Sequence, residues 1–254
     1  MEIYDGDPPI SHLARERIDV WLIRLDSTFY RQTAGFEDFL DPWELERYRR
    51  FRDEKAALQH LMGRVLVRTT LSRYVDVPPA AWRFVVNAFG CPSIATPSGT
   101  GLTFNLSHTA GLVVCAVTRG MDVGVDVERA RRHADIEKLA RHSFAPAETA
   151  SILAAPPEER HELFFAYWTL KESYIKARGM GLALPLDGFA FDLSQPSPRV
   201  SFTEKCPDDS GRWAFFRERP TLEHRLALAV SGGGAPCVAY RWAVRRGSAL
   251  FPRP

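Results

Sequence analysis

A long helical stretch followed by a run of short strands occurs twice along these 254 residues, and that repeated order limits the fold more than any single motif. In the first half, "EDFLDPWELERYRRFRDEKAALQHLMGRVLVRTTLSRYV" contains two helices, with Asp41 as N-cap and Pro42 at the first helical position. The longer stretch, about 53–75, spaces Leu58, Leu61, Met62, Val65, Leu66 and Leu71 as the apolar face of a buried helix. A strand is expected before them at 19–25. After them, "WRFVVNAFGCPSI" reads as a strand breaking at Gly90 and Pro92. "LTFNLSHTAGLVVCAVTRGMDVGVDVE" reads as three strands, the last two joined by a turn at Arg119-Gly120. In the second half helices are expected at 134–142, 146–154 and 158–178, the last stopped by Gly179 and Gly181. Strands at 188–193, 199–204, 212–217, 225–230 and 236–244 follow. The expectation is an α+β fold of two similar lobes, 1–120 and 121–254, each a small, mainly antiparallel sheet packed on a long helix.

Composition narrows the function. Hydrophobic residues make up 45% and charged residues 25%, enough for packed cores, and a net charge of +2 gives no global pull towards nucleic acid. The opening "MEIYDGDPPI" lacks the basic and apolar regions of a secretory leader, and the longest apolar run, "GLVVCAV", is too short to cross a bilayer. Cys91, Cys115, Cys206 and Cys237 form no C-x-x-C pair, so neither a zinc site nor a disulfide framework is expected, and a reducing cytoplasm fits. The glycine-rich "SGGGAP" at 231–236 lacks the lysine and helix start of a phosphate-binding loop.

Four constellations can carry chemistry. In "VGVDVE", 123–128, strand periodicity puts Asp126 and Glu128 on one face, a spacing that suits Mg²⁺ but is also common at solvated strand ends. In "WTLKESYIKARG", 168–179, Leu163, Tyr167, Leu170 and Tyr174 form the buried stripe, and Trp168, Glu172 and Lys176 lie on an adjoining one. Read alone, Glu172 and Lys176 are a surface ion pair; with Trp168 in register, they can equally line a site, Glu172 as a third carboxylate and Lys176 as the cation for a leaving group. In "FNLSHT", Ser107 and His108 point to opposite faces, so the dipeptide is not by itself a nucleophile–base pair; a structural histidine is one reading and phosphate binding the other. The cluster "RYRRFR", with Arg47, Arg49, Arg50 and Arg52, is either solvated surface or a phosphate contact.

In order along the chain, "GVDVE" (124–128) and "WTLKESYIKARGMGL" (168–182) resemble the 4′-phosphopantetheinyl transferases of the two-lobed, surfactin-activating (Sfp) type. "GRVLVR" (63–68), "FNLSHT" (104–109) and "FAPAE" (144–148) stand in that family's order, so the resemblance runs from about 41 to 193. It implies two lobes related by a pseudo-two-fold axis, with the cofactor between them. It also implies transfer of the phosphopantetheine arm of coenzyme A, as co-substrate, to a serine of an acyl or peptidyl carrier protein, with release of adenosine 3′,5′-bisphosphate. By motif position, Asp126, Glu128 and Glu172 are the implied ligands of Mg²⁺, or Mn²⁺ in its place. Glu172, or Glu128 through a water, is the implied base, and Lys176 the group that steadies the leaving phosphate. Ser107, His108, Arg47 or Arg50, and the Gly90-Cys91 turn are the implied coenzyme A contacts. A monomer without nucleic-acid or membrane partners is expected. Two departures concern the 3′-phosphate pocket: Cys91 stands where the family commonly has a lysine, and Gln59-His60 where it has an arginine. A Mg²⁺-dependent phosphodiesterase built on the same carboxylates, or a degenerate binding module for coenzyme A or a carrier protein, are the competing readings.

Overall fold

The computed structural model describes residues 13–14, 16–25, 35–130, 135–232 and 236–242. The chain divides into two compact units, one of residues 1–87, 92–121 and 236–254, the other of residues 88–91 and 122–235.

Among the described residues, the first unit has two α-helices and six strands: β1 (Arg17–Arg24), α1 (Pro42–Arg49), α2 (Glu54–Leu71), β2 (Arg83–Val86), β3 (Pro92–Thr96), β4 (Leu102–Thr109), β5 (Leu112–Arg119) and, from the far end of the described chain, β11 (Cys237–Trp242). The Asp41 side chain accepts from the Glu44 N–H at 2.9 Å and Glu44 accepts back from the Asp41 N–H at 3.2 Å, a capping box with Pro42 behind it. On α2, Leu58, Leu61, Met62, Val65 and Leu66 are all buried, and they meet Phe104, Val113, Cys115 and Val117 in one core. The sheet runs β11–β1–β5–β4. Its central pairs are antiparallel, but β11 lies parallel to β1, with Arg17 opposite Cys237 and Asp19 opposite Ala239.

This corrects the expected segmentation, which gave 236–244 to the second lobe. A buried polar knot holds β11 in the first unit. Tyr74 donates to Asp19 at 2.6 Å, Arg17 pairs with Asp19 at 2.7 Å, and Arg241 approaches the same carboxylate at 3.4 Å. The stretch expected to be one broken strand is a hairpin, β2–β3, that turns through Gly90 at φ 82°. The tail of the expected last strand, 243–244, residue 134 of the expected helix, and Gly233, Gly234 and Ala235 lie outside the described residues.

In the second unit are β6 (Val123–Arg129), α3 (Ile136–Ser143), α4 (Pro146–Ala154), α5 (Pro157–Arg178), β7 (Phe189–Asp192), β8 (Arg199–Phe202), β9 (Trp213–Thr221) and β10 (His224–Ser231). The three-stranded antiparallel sheet β6–β10–β9 packs on α5, and β7–β8 forms a separate hairpin. Although Gly120 turns the chain at φ 72°, β5 and β6 do not pair: β6 pairs with β10 and β5 with β1 and β4. Tyr167, Leu170 and Tyr174 are buried as their spacing requires, and Gly179, left-handed at φ 62°, caps α5.

Candidate active site

The functional side chains of the second unit are positioned by an unusually close approach of β6 to α5. A Cβ on Gly124 would lie 1.9 Å from the Ser173 carbonyl oxygen and 2.4 Å from the Ala177 nitrogen, so only glycine lets the strand rest on that turn of helix. Two residues along the same strand face, Asp126 meets the same turn of the helix. Its Oδ1 accepts from Lys176 Nζ at 2.7 Å, and the side chains are 6% and 27% exposed. Glu172, one helical turn before Lys176 and half-buried, completes the group. Burial pushes its carboxyl above the usual range, the negative charge of Asp126 pushes it further, and Lys176 only partly offsets this. Asp126, Glu172 and Lys176 thus form one coupled electrostatic unit.

Glu128 continues the Asp126 face of β6 and stands directly across from Arg225 of β10. Arg225 is buried and forms a two-pronged pair with Glu162 of α5. Among the described residues, no three His, Cys, Asp or Glu side chains are gathered as a ready cation cage. The expected trio Asp126, Glu128 and Glu172 is therefore not drawn together as three ligands; the Lys176 ammonium neutralises Asp126 instead. The donor set still suits a hard divalent cation. It consists of carboxylate oxygens on a strand and a helix, two of them repelling each other enough to perturb Glu172.

Sequence reasoning missed the framework beneath this site. Lys171, next to Glu172, is fully buried rather than part of the site. Its Nζ pairs with Glu148 at 2.8 Å, both side chains 0% exposed, donates to the Leu186 and Phe189 carbonyls at 2.7 and 2.6 Å, and lies 4.2 Å from the centre of the Phe189 ring. Glu148 also accepts from the Ala145 and Phe191 N–H groups. This knot fixes the rotation of α5 and so the direction in which Glu172 and Lys176 point. At the helix end, Asp208 accepts from Tyr174 at 2.7 Å, Arg178 at 2.6 Å and the Trp213 indole at 2.9 Å.

The phosphate-binding candidates fall mainly in the first unit. On β4, Ser107 is buried and His108 exposed, as alternation requires. Gln59 of α2 donates to the Thr109 carbonyl at 2.7 Å, tying the helix to the end of that strand. Beside it, burial first, and then the charges of Arg64, Arg47 and His108, push the His60 imidazole down, so side chains of α1, α2 and β4 form one cluster around it. Arg47, whose guanidinium lies 5.8 Å from the centre of the Trp43 ring, belongs to this cluster. Arg50 does not join it: it forms an exposed i, i+4 pair with Glu46. Arg64, read only within "GRVLVR", reaches Glu44 at 3.6 Å. Gly90 and Cys91 belong to the second unit, and burial pushes the half-buried Cys91 thiol up, which keeps it neutral.

No helix among the described residues is long and apolar enough to cross a membrane. A family model described as the 4′-phosphopantetheinyl transferase superfamily matches residues 122–230, and one described as 4′-phosphopantetheinyl transferase, N-terminal, matches residues 30–119. The chain is 34% identical over 164 residues to the 4′-phosphopantetheinyl transferase Sfp of Bacillus subtilis, an alignment covering 65% of this chain and 71% of that one. It is 27% identical over 209 residues to the L-aminoadipate-semialdehyde dehydrogenase-phosphopantetheinyl transferase of Mus musculus, covering 75% and 67%. To the 4′-phosphopantetheinyl transferase HetI of Nostoc sp. it is 33% identical over 211 residues, covering 80% of this chain and 88% of that one. With both units matched, and with that identity across most of its length, the chain belongs to the 4′-phosphopantetheinyl transferase superfamily and is an enzyme of that kind.

Proposed function

We propose that the chain transfers the 4′-phosphopantetheine arm of coenzyme A to a serine hydroxyl of an acyl or peptidyl carrier protein. The serine oxygen forms the new bond to phosphorus, the pyrophosphate P–O bond breaks, and adenosine 3′,5′-bisphosphate leaves. The observation that carries this reading is the coupled unit of Asp126, Glu172 and Lys176 on β6 and α5, in a chain of this superfamily.

Asp126, Glu128 and Glu172 are the residues that would hold Mg²⁺, or Mn²⁺ in its place, which when bound neutralises charge on the pyrophosphate oxygens. The protein's own work is positioning and proton handling. Glu172 accepts the serine proton, directly or with Glu128 acting through a water. Its raised carboxyl makes it a stronger base than an ordinary glutamate. Lys176, already holding one carboxylate by its ammonium, delivers a hydrogen bond and positive charge to the departing phosphate oxygen. Arg47, Ser107 and His108 hold coenzyme A phosphates. The long-helix-then-strands order found in both units supports reading them as two copies of one α+β plan, the pseudo-two-fold fold of the family. The reading carries with it a monomer working in the cytoplasm.

Intact-protein mass spectrometry of an apo carrier protein, incubated with the enzyme, coenzyme A and Mg²⁺, tests this directly. The expected result is one added phosphopantetheine, absent with EDTA and absent for Asp126→Asn. Coenzyme A breakdown without carrier modification would replace the reading with a phosphodiesterase; bound coenzyme A with neither product would replace it with a binding module.

A further inference from the structure

The row of β6 residues that faces α5 has a partner row on β10: Ala229, Ala227 and Arg225 stand opposite Gly124, Asp126 and Glu128. Arg225 is the charged member of that row, and it lies beside the carboxylate read as completing the cation site. Residues directly opposite on antiparallel strands have Cβ atoms about 4.5–5.5 Å apart, and opposite charges placed so attract each other. Arg225 nevertheless donates no hydrogen bond to Glu128. Its Nε and Nη2 donate to the two oxygens of Glu162, and its Nη1 donates to the Leu222 and His224 carbonyls at 3.2 and 2.9 Å. Glu162 lies almost three turns before Glu172 on α5, roughly 15 Å along the helix axis, so the pair draws the guanidinium away from Asp126, Glu172 and Lys176. Both partners line a cleft of about 360 Å³, with Thr169, Arg217 and Arg219, and Glu128 is not part of that lining.

We infer that Glu162 is a positioning residue for the cation site: it holds the Arg225 guanidinium in a two-pronged pair and so keeps that charge off Glu128, the carboxylate directly across the strands. This rests on the reading that Glu128 is a ligand of the divalent cation. The opposite arrangement already exists one step along the same face, where Lys176 sits on Asp126 at 2.7 Å and neutralises it. A guanidinium on Glu128 would do the same to the second strand carboxylate, occupying an oxygen and setting another positive charge beside an incoming divalent ion. Two features of the pair prevent this. A planar guanidinium matches both oxygens of one carboxylate, a stronger arrangement than a single-pronged contact. The two backbone carbonyls then fix its remaining nitrogen, so the group has one orientation. Because Arg225 is buried, its charge needs a carboxylate close by, and removing Glu162 would turn it to Glu128. Glu218, the other carboxylate of the cleft, stands opposite Leu226, one step out of that row.

The test uses the full chain with coenzyme A and Mn²⁺, without a carrier, so that no transfer occurs. Electron paramagnetic resonance of free Mn²⁺ gives the Kd of the metal for the wild type, Glu162→Ala, Arg225→Met and Glu162→Ala/Arg225→Met. Glu162→Ala is expected to weaken Mn²⁺ binding by about tenfold or more, the loss typical when a group that orients a metal ligand is removed. Arg225→Met should bind Mn²⁺ as the wild type does, and in the double variant the missing guanidinium should restore the affinity. A pair that only fastened β10 to α5 would give the other order, with the double variant no better than Glu162→Ala. The Glu162 side chain is 54% exposed, so its loss should leave a folded protein, which thermal unfolding checks; Glu162→Gln, which keeps the shape, should weaken Mn²⁺ in the same direction. Unchanged Mn²⁺ affinity in Glu162→Ala, weakened binding in Arg225→Met, or a double variant as weak as Glu162→Ala would overturn the inference and leave the Glu128 reading standing. A wild type that binds coenzyme A but no Mn²⁺ would overturn both.

Discussion

Replacing Gly124 by alanine probes the contact on which the candidate site is built. The added Cβ would sit 1.9 Å from the Ser173 carbonyl oxygen, 2.4 Å from the Ala177 nitrogen and 3.0 Å from the Ala177 Cα, on top of a backbone hydrogen bond of α5. Ordinary contact begins at about 3.4 Å, so strand and helix must part by about 1.5 Å (3.4 minus 1.9), since none of the three opposing atoms belongs to a side chain. Overpacking of a core commonly costs about 1–3 kcal/mol, and for a chain of this size each kcal/mol lowers Tm by roughly 2–4 °C. A fall of roughly 2–12 °C is therefore expected. The effect on transfer should be larger in proportion. The same separation takes Asp126 away from Lys176 and Glu172, and a misplacement of about 1 Å can cost on the order of a hundredfold in rate. Thermal unfolding and the rate of carrier modification under saturating coenzyme A measure the two effects. Because the clash is with main chain, Ala177→Gly should not rescue the variant. A Gly124→Ala protein with wild-type melting and wild-type transfer would show that β6 and α5 are not held this close, and the geometry derived for Asp126 would fall with it.

Three further outcomes are expected. Lys171→Met strands the Glu148 carboxylate in a site with 0% exposure and should cost about 3–5 kcal/mol in urea unfolding; Lys171→Met/Glu148→Gln should recover part of that loss, and full additivity would show the pair is not coupled. Burial pushes the Asp208 carboxyl up, but hydrogen bonds from Tyr174, the Asp209 backbone and Trp213, with the charge of Arg178, outweigh it and hold the pKa below the usual 3.8. Its stabilisation is thus present above 3.8 and lost as pH falls through the lowered value, so the stability gap between wild type and Asp208→Asn should be constant from pH 5 to 7 and shrink below pH 4. Glu172→Gln should abolish transfer while leaving Tm within about 1 °C, because Glu172 is half-buried and packs beside the core rather than in it; a variant that keeps most of its rate would remove Glu172 as the base.

Periodicity carried most of the local structure. The Asp41-Pro42 helix start, the apolar face of α2 and the Tyr167–Leu170–Tyr174 stripe are set by residues three and four apart, so a single sequence exposes them. Pairing across the chain was not legible. The parallel docking of β11 on β1 depends on Asp19, Tyr74 and Arg241, which are far apart in sequence and share no spacing rule. The partition of the second strand cluster was hidden for the same reason: β5 and β6 are consecutive, and only their distant partners separate them. At the site, motif order picked out Asp126, Glu172 and Lys176. His60 showed only as a departure from a familiar pattern, because its state is set by burial and then by charges from three separate elements.

Lys171 and Glu172 show why charge alone does not identify a functional residue. They are neighbours in sequence and both ionisable, yet a rotation of about 100° per residue sends them to different sides of α5. Lys171 turns into the core, where Glu148, two carbonyls and the Phe189 ring satisfy its charge completely. A charge so fully compensated has nothing left to offer a substrate, and its contribution is to fix the helix. Glu172 turns towards Asp126, where a like charge and partial burial leave it incompletely compensated and its carboxyl raised. That residual imbalance is what a cation or a departing serine proton can relieve. On α5 the residue with chemistry left to offer is the one whose electrostatics the folded chain leaves unfinished, and it stands beside a fully satisfied neighbour that holds it in place.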